Sequence, residues 1–261
     1  MLELLRYAPV SLTDNPPLLF VHGAWHGAWC WEDYFLPYYQ EQGFMSYALS
    51  LRGHGNSSPQ SVRWCSVWDY VADVRQQVEL ITAECGEEPI LIGHSMGGYV
   101  LQKYLERHPA RGIVLLASIP VMGMFPAFLR IAWRHPLAFM KAGLTMRGYP
   151  LVENPDHARE LFFSEGAEKT YHEKLEDESY RIVYECAFFQ RPNPKRVHPT
   201  RMLVLAAEND RIFTVYEQTR TAEAYQTDVV ILPNTAHDVM LEPTWRFAAD
   251  RILMFLEEER A

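Results

Sequence analysis

The sequence predicts an α/β domain: a mostly parallel central sheet with helices on both faces and one inserted helical block. Three observations carry this. Short apolar runs at Leu18–Val21, Met45–Leu51, Ile90–Ser95, Ile113–Ala117, Met202–Ala206 and Val229–Leu232 alternate with longer helical patterns. The strongest of these runs are continuously apolar, as in strands covered on both faces. The alternation then stops from about Ile119 to Pro199. The expected division is therefore a core of residues 1–118 and 200–261, with residues 119–199 inserted as a helical cap, or lid, over the carboxyl ends of the strands.

The elements follow in order. Leu2 to Val10 alternates weakly and reads as a short edge strand. Asp14-Asn15-Pro16-Pro17 is a turn. The Leu18–Val21 strand leads into His22-Gly23-Ala24-Trp25-His26-Gly27-Ala28-Trp29-Cys30-Trp31. A helix is expected through Tyr38 and Tyr39, stopping at Gly43. Met45–Leu51 exits into a Gly/Ser/Pro-rich loop, Arg52 to Pro59. Ser66 can cap a helix over Val67–Glu84 whose buried face is Val67, Tyr70, Val71, Val74, Val78 and Ile81. Three helices are expected in the inserted block: Phe125–Ala142, Pro155–Phe163 and Glu168–Phe189, the last with acidic residues on its outer face. Helices over Tyr216–Tyr225 and Thr244–Glu258 complete the core.

The stretch from Ile90 to Gly98 carries the chemistry. An apolar strand breaks into Gly93-His94-Ser95-Met96-Gly97 and resumes as a helical pattern from Tyr99. This is G-x-S-x-G in the setting it needs: strand, sharp turn, helix. A Cβ at position 93 or 97 is expected to collide with the neighbouring strand or helix. A serine hydroxyl is a weak nucleophile and needs a base, and the base needs a carboxylate to orient it. Downstream, in the order serine, acid, histidine, stand two loops after strands: Ala207-Glu208-Asn209-Asp210 and Asn234-Thr235-Ala236-His237-Asp238. The expected catalytic set is Ser95, Asp210 and His237, with Glu208 and Asp238 as competing acids. Oxyanion donors are expected at the backbone N–H of Met96 and, from the loop after Leu18–Val21, of Ala24. Trp25 and Phe125 are candidate substrate contacts. The aromatic block that includes Phe125, Phe128, Trp133 and Phe139 suggests an apolar acyl or aromatic substrate. Of the ten histidines, His22 reads as structural, His94 as pointing away from Ser95, and His54 as lying near the pocket edge.

Composition bounds the rest. The 261 residues are 48% hydrophobic with net charge -9, which gives no electrostatic support for nucleic-acid binding. Cys30, Cys65, Cys85 and Cys186 form no CxxC pair and read as reduced thiols in a cytoplasmic protein. The uncharged stretch Gly112 to Leu129 holds Pro120 and Pro126, so no membrane span is expected. No cofactor or metal is expected, because there is neither a ligand cluster at metal spacing nor a dinucleotide fingerprint.

Together, His22-Gly23-Ala24, Arg52-Gly53-His54-Gly55-Asn56-Ser57, Gly93-His94-Ser95-Met96-Gly97-Gly98, the Asp210 loop and His237 resemble the α/β-hydrolase superfamily over nearly the whole chain. The run from His22 to Trp31 is similar to the plant methylesterase and hydroxynitrile lyase branch and its bacterial relatives. The resemblance implies the α/β-hydrolase fold with a cap and a small or medium ester as substrate, cleaved by a serine esterase. Thioesters and lactones suit the same parts. The lyases of that branch carry lysine directly after the catalytic histidine; here that position is Asp238, an anion that opposes cyanide stabilisation.

Overall fold

The computed structural model describes residues 1–11, 13–58, 62–167 and 171–258. Among the described residues seven strands form one sheet: β1 (Glu3–Tyr7), β2 (Leu18–Val21), β3 (Ser46–Ser50), β4 (Ile90–His94), β5 (Gly112–Leu116), β6 (Arg201–Ala207) and β7 (Val229–Leu232). Their order is β1-β3-β2-β4-β5-β6-β7. Only the edge strand β1 is antiparallel, paired with β3; the other neighbours run parallel. The continuous apolar runs are explained by this arrangement: β2, β3, β4 and β5 are buried at every residue. The chain passes from β2 to β3 on one side, then returns to β4 on the other. The crevice at the carboxyl ends of β2 and β4 is thus a switch point, where open parallel sheets place their sites.

The helices are α1 (Phe35–Glu41), α2 (Val67–Cys85), α3 (Met96–Leu105), α8 (Val215–Tyr225) and α9 (Trp245–Glu257) in the strand–helix alternation. Between β5 and β6 lie α4 (Phe125–Arg134), α5 (Pro136–Thr145), α6 (Pro155–Phe162) and α7 (Tyr180–Tyr184). α2 begins where expected. The Ser66 side chain accepts from the Asp69 N–H, and the Asp69 carboxylate accepts from the Ser66 N–H. The six residues expected on its inner face are all buried.

Two expected helices are divided. Phe125–Ala142 breaks at His135, which sits at φ -128, ψ 61. Pro136 starts α5, and a residue before proline is disfavoured in helical conformation. The apolar pattern ran through this break unchanged. Glu168, where the next expected helix begins, lies outside the described residues, as does Pro59 at the end of the Arg52 loop. The rest of that helix shrinks to a 3-10 turn at His172–Lys174, an extended stretch, α7 and a wide turn at Glu185–Phe189. Two of the acidic residues there face inward. The buried Glu178 carboxylate accepts from Tyr70 Oη at 2.8 Å, and Glu185 accepts from the Val67 N–H at 2.8 Å. The Glu176 N–H donates to the Trp25 carbonyl. These groups tie the segment to the core instead of continuing a helix.

Candidate active site

Ser95 follows β4 directly and has φ 50, ψ -115. A non-glycine residue there is strained, at a cost of order 1–3 kcal/mol. The strain is held by the crowding of β4 and α3 against β2. A Cβ on Gly97 would lie 2.4 Å from the Val21 carbonyl oxygen, and one on Gly93 would lie 2.7 Å from the backbone of Gly97 and Gly98. Gly97→Ala is therefore expected to destabilise the fold by about 3 kcal/mol, the upper part of the overpacking range, because backbone on both sides must move. Chemical denaturation of the variant measures this.

The three expected catalytic residues meet. Ser95 Oγ lies 2.9 Å from His237 Nε2, and His237 Nδ1 lies 2.7 Å from Asp210 Oδ2. The carboxylate is itself fixed, because Asp210 Oδ1 accepts from the N–H groups of Ile212 and Phe213. Of the competing acids, Glu208 is exposed and accepts from the Asn234 N–H. Asp238 is fully buried and faces His26 Nε2 at 3.0 Å. Burial alone pushes the His237 pKa down, but the Asp210 carboxylate beside it, with help from Asp238, holds it above its ordinary 6.5.

Behind this relay lies a buried layer that sequence reasoning assigned only in part. His94 Nε2 donates to the His237 carbonyl at 2.9 Å and so anchors the loop that carries His237. Burial, with His237 next to it, takes the His94 pKa down to about 3, so its ring is neutral. His26 has oxygen acceptors at both ring nitrogens: the Ala24 carbonyl at 2.7 Å and Asp238. It thereby links the loop after β2 to the loop after β7. His22 is structural as expected, bonding the Gly23 carbonyl and accepting from the Leu51 N–H. His54 is buried 3.2 Å from Glu178. The pairing of Asp238 with His26 had no local signal, because the two lie far apart in sequence.

Ala24, Trp25, Ser95 and Met96 line one small cavity of about 20 Å³. Its other walls come from Ile212, Phe213 and the segment between β5 and β6, including Met124, Ile182 and Val183. Ser95 sits at the N-terminus of α3, where the first amides and the helix dipole favour negative charge. Phe125 does not line this cavity. It borders a larger apolar one of about 310 Å³ between α4, α5 and α7, with Phe128, Phe139, Leu151 and Val183. Val183 belongs to both walls. The aromatic block thus splits: Phe128 and Phe139 face this cavity, while Trp133 is 88% exposed.

Among the described residues, His94, His237 and Asp238 place potential metal-ligand atoms within 4.8 Å of one another. Both ring nitrogens of His237 are already bound to Ser95 and Asp210, and His94 Nε2 is bound to a carbonyl. Three of the four ring nitrogens in the cluster are therefore already engaged within the protein. No helix among the described residues is long and apolar enough to cross a membrane.

Comparison with known proteins agrees with this architecture. Residues 18–249 match the Alpha/beta hydrolase family. The chain is 32% identical over 112 residues to Salicylic acid-binding protein 2 of Nicotiana tabacum, covering 42% of each protein. It is 32% identical over 93 residues to Methyl jasmonate esterase 1 of Vitis vinifera, covering 36% of this chain and 34% of that one. These matches span less than half the length of either relative. The fold is similar to the monoacylglycerol lipase of Paleococcus ferrophilus, with TM-score 0.72 and 21% identity over 98% of both chains. Matched over most of its length, the chain belongs to the alpha/beta hydrolase family.

Proposed function

We propose that the protein is a serine esterase that cleaves a carboxylic ester of a small or medium apolar substrate. The observation that carries this is the unbroken contact chain from Ser95 Oγ through His237 to Asp210. His237 Nε2 takes the Ser95 proton as Oγ attacks the ester carbonyl, while Asp210 holds the proton of Nδ1 in place. The negative charge gained by the carbonyl oxygen is met by the N–H groups of Met96 and Ala24. His237 then gives its proton to the departing alkoxide, leaving an acyl group on Ser95. Water, deprotonated by His237, attacks that acyl group and releases the acid. Residues 119–199 act as the cap, excluding solvent and shaping the acyl side of the pocket, with Trp25 against the substrate. The similarity to Methyl jasmonate esterase 1 favours an ester over a thioester or lactone. The buried carboxylate of Asp238 disfavours the lyase alternative.

Turnover of aryl esters from acetate to decanoate tests the reading. Hydrolysis with a defined optimum in acyl length is expected. Failure to turn over any of them contradicts it.

The base must be neutral to act, so kcat/KM is expected to rise with pH through a midpoint above the ordinary histidine value of 6.5. Asp238→Asn removes one of the carboxylates that raise this pKa, so the midpoint moves down. The protonated-histidine contribution to stability runs the other way: it is complete below the ordinary value and is lost as pH rises through the raised one. Paired rate and unfolding profiles of wild type and variant check both signs.

A further inference from the structure

We propose that the outer face of α4 and α5 is a docking surface for an anionic lipid bilayer. On α4, Phe125, Leu129 and Trp133 recur at i, i+4 and i+8; on α5, Leu137, Met140 and Leu144 recur at i, i+3 and i+7. Such spacing keeps each set on one side of its helix. All six side chains are exposed, Leu137 and Leu144 to 75% and 78%. Single exposed apolar residues are ordinary, but two apolar stripes on packed helices are a patch of the kind that meets a partner. The helices are held together beneath it by Phe128 and Phe139, whose ring centroids are 5.9 Å apart.

Charge and continuity select the occupant. The chain carries -9 overall, yet from Gly112 to Val152 it holds Arg130, Arg134, Lys141 and Arg147 and no Asp or Glu. Three of these are neutralised, by Glu217, Glu153 and Asp177. Arg134, next to Trp133, donates to the Arg211 carbonyl and meets no carboxylate among the described residues. A tryptophan beside an arginine at the rim of an apolar face suits the level of lipid headgroups. The acidic remainder of the molecule is repelled by an anionic surface, which turns this face toward it. Phe125 and Leu129 are also part of the wall of the 310 Å³ cavity. An apolar cavity of 150 Å³ accepts a benzene-sized molecule, so this one suits an acyl chain of about ten carbons. A protein seated on the stripes would cover that cavity, whereas a bilayer would offer chains to it. Delivery of such chains to Ser95 through Val183 rests on the esterase reading; the docking itself does not.

The test is co-sedimentation of the full chain with vesicles of equimolar phosphatidylglycerol and phosphatidylcholine. The variant combines Trp133→Ser, Leu137→Ser and Leu144→Ser, none of which lines either cavity. Wild type is expected to sediment with the vesicles, and the triple variant to bind at least about tenfold less, given the apolar surface removed. Arg134→Glu alone is expected to weaken binding. The thermal midpoint reports that the variants are folded. Hydrolysis of a water-soluble aryl ester is expected to be unchanged; its absence in wild type would count against the esterase and leave the vesicle result standing. No binding by wild type, or equal binding by the triple variant, overturns the proposal. So does a dimer in sedimentation velocity that the triple variant abolishes, since the face would then join two copies.

Discussion

Replacing Ser95 with alanine is expected to lower ester turnover by about six orders of magnitude, to the residue of catalysis that binding and the proposed oxyanion donors would provide. The expectation follows from geometry. The hydroxyl is the only part of Ser95 that reaches His237, at 2.9 Å. Alanine keeps the methylene and so keeps the strained turn. The loss should fall on kcat, with KM little changed, because the hydroxyl acts after the substrate is bound. Stopped-flow turnover with an aryl ester measures this. The thermal midpoint should stay within a few degrees or rise, because a buried hydroxyl at a strained turn contributes to chemistry more than to stability.

Asp210→Asn comes next, with an expected loss of about four orders of magnitude in kcat. The loss depends on which end of the amide faces the histidine. Asp210 Oδ1 accepts from two backbone donors, the N–H groups of Ile212 and Phe213. The asparagine carbonyl takes that place, since an NH2 there would face two donors. Its NH2 is then turned toward His237 Nδ1. Nδ1 must accept, so the imidazole proton moves to Nε2, the nitrogen that faces Ser95. The base is present but holds its proton on the wrong side. Asp210→Asn should thus also lose the raised His237 pKa, visible in the pH dependence of what activity remains.

Much of this was legible from residue order. Strands buried on both faces announce themselves by unbroken apolar runs, and Gly93 and Gly97 are small where backbone approaches backbone. Chain order alone placed Asp210 and His237 at the same rim as Ser95, because both follow strands of a parallel sheet. What escaped was non-local. Asp238 and His26 are 212 residues apart, and nothing near either one marks the pair. The insert was read least well, for two different reasons. Pro136 breaks a helix without disturbing its apolar pattern, and α5 resumes at once. The acidic residues around α7 looked like a solvated face, yet Glu178 and Glu185 are buried and bond Tyr70 and the start of α2. Their partners lie over a hundred residues away, so spacing within the run held no trace of them. Phe125 was expected near the substrate; it borders the 310 Å³ cavity, which shares Val183 with the cavity that Ser95 lines.

In the proposed mechanism Ser95 is a nucleophile activated by His237, which Asp210 orients. Labelling with a fluorophosphonate, read by intact mass and peptide mapping, tests it most directly. One adduct per chain is expected, on Ser95, absent in Ser95→Ala and formed far more slowly in Asp210→Asn. A wild-type protein that stays unlabelled, or an adduct that persists in folded Ser95→Ala, would contradict it.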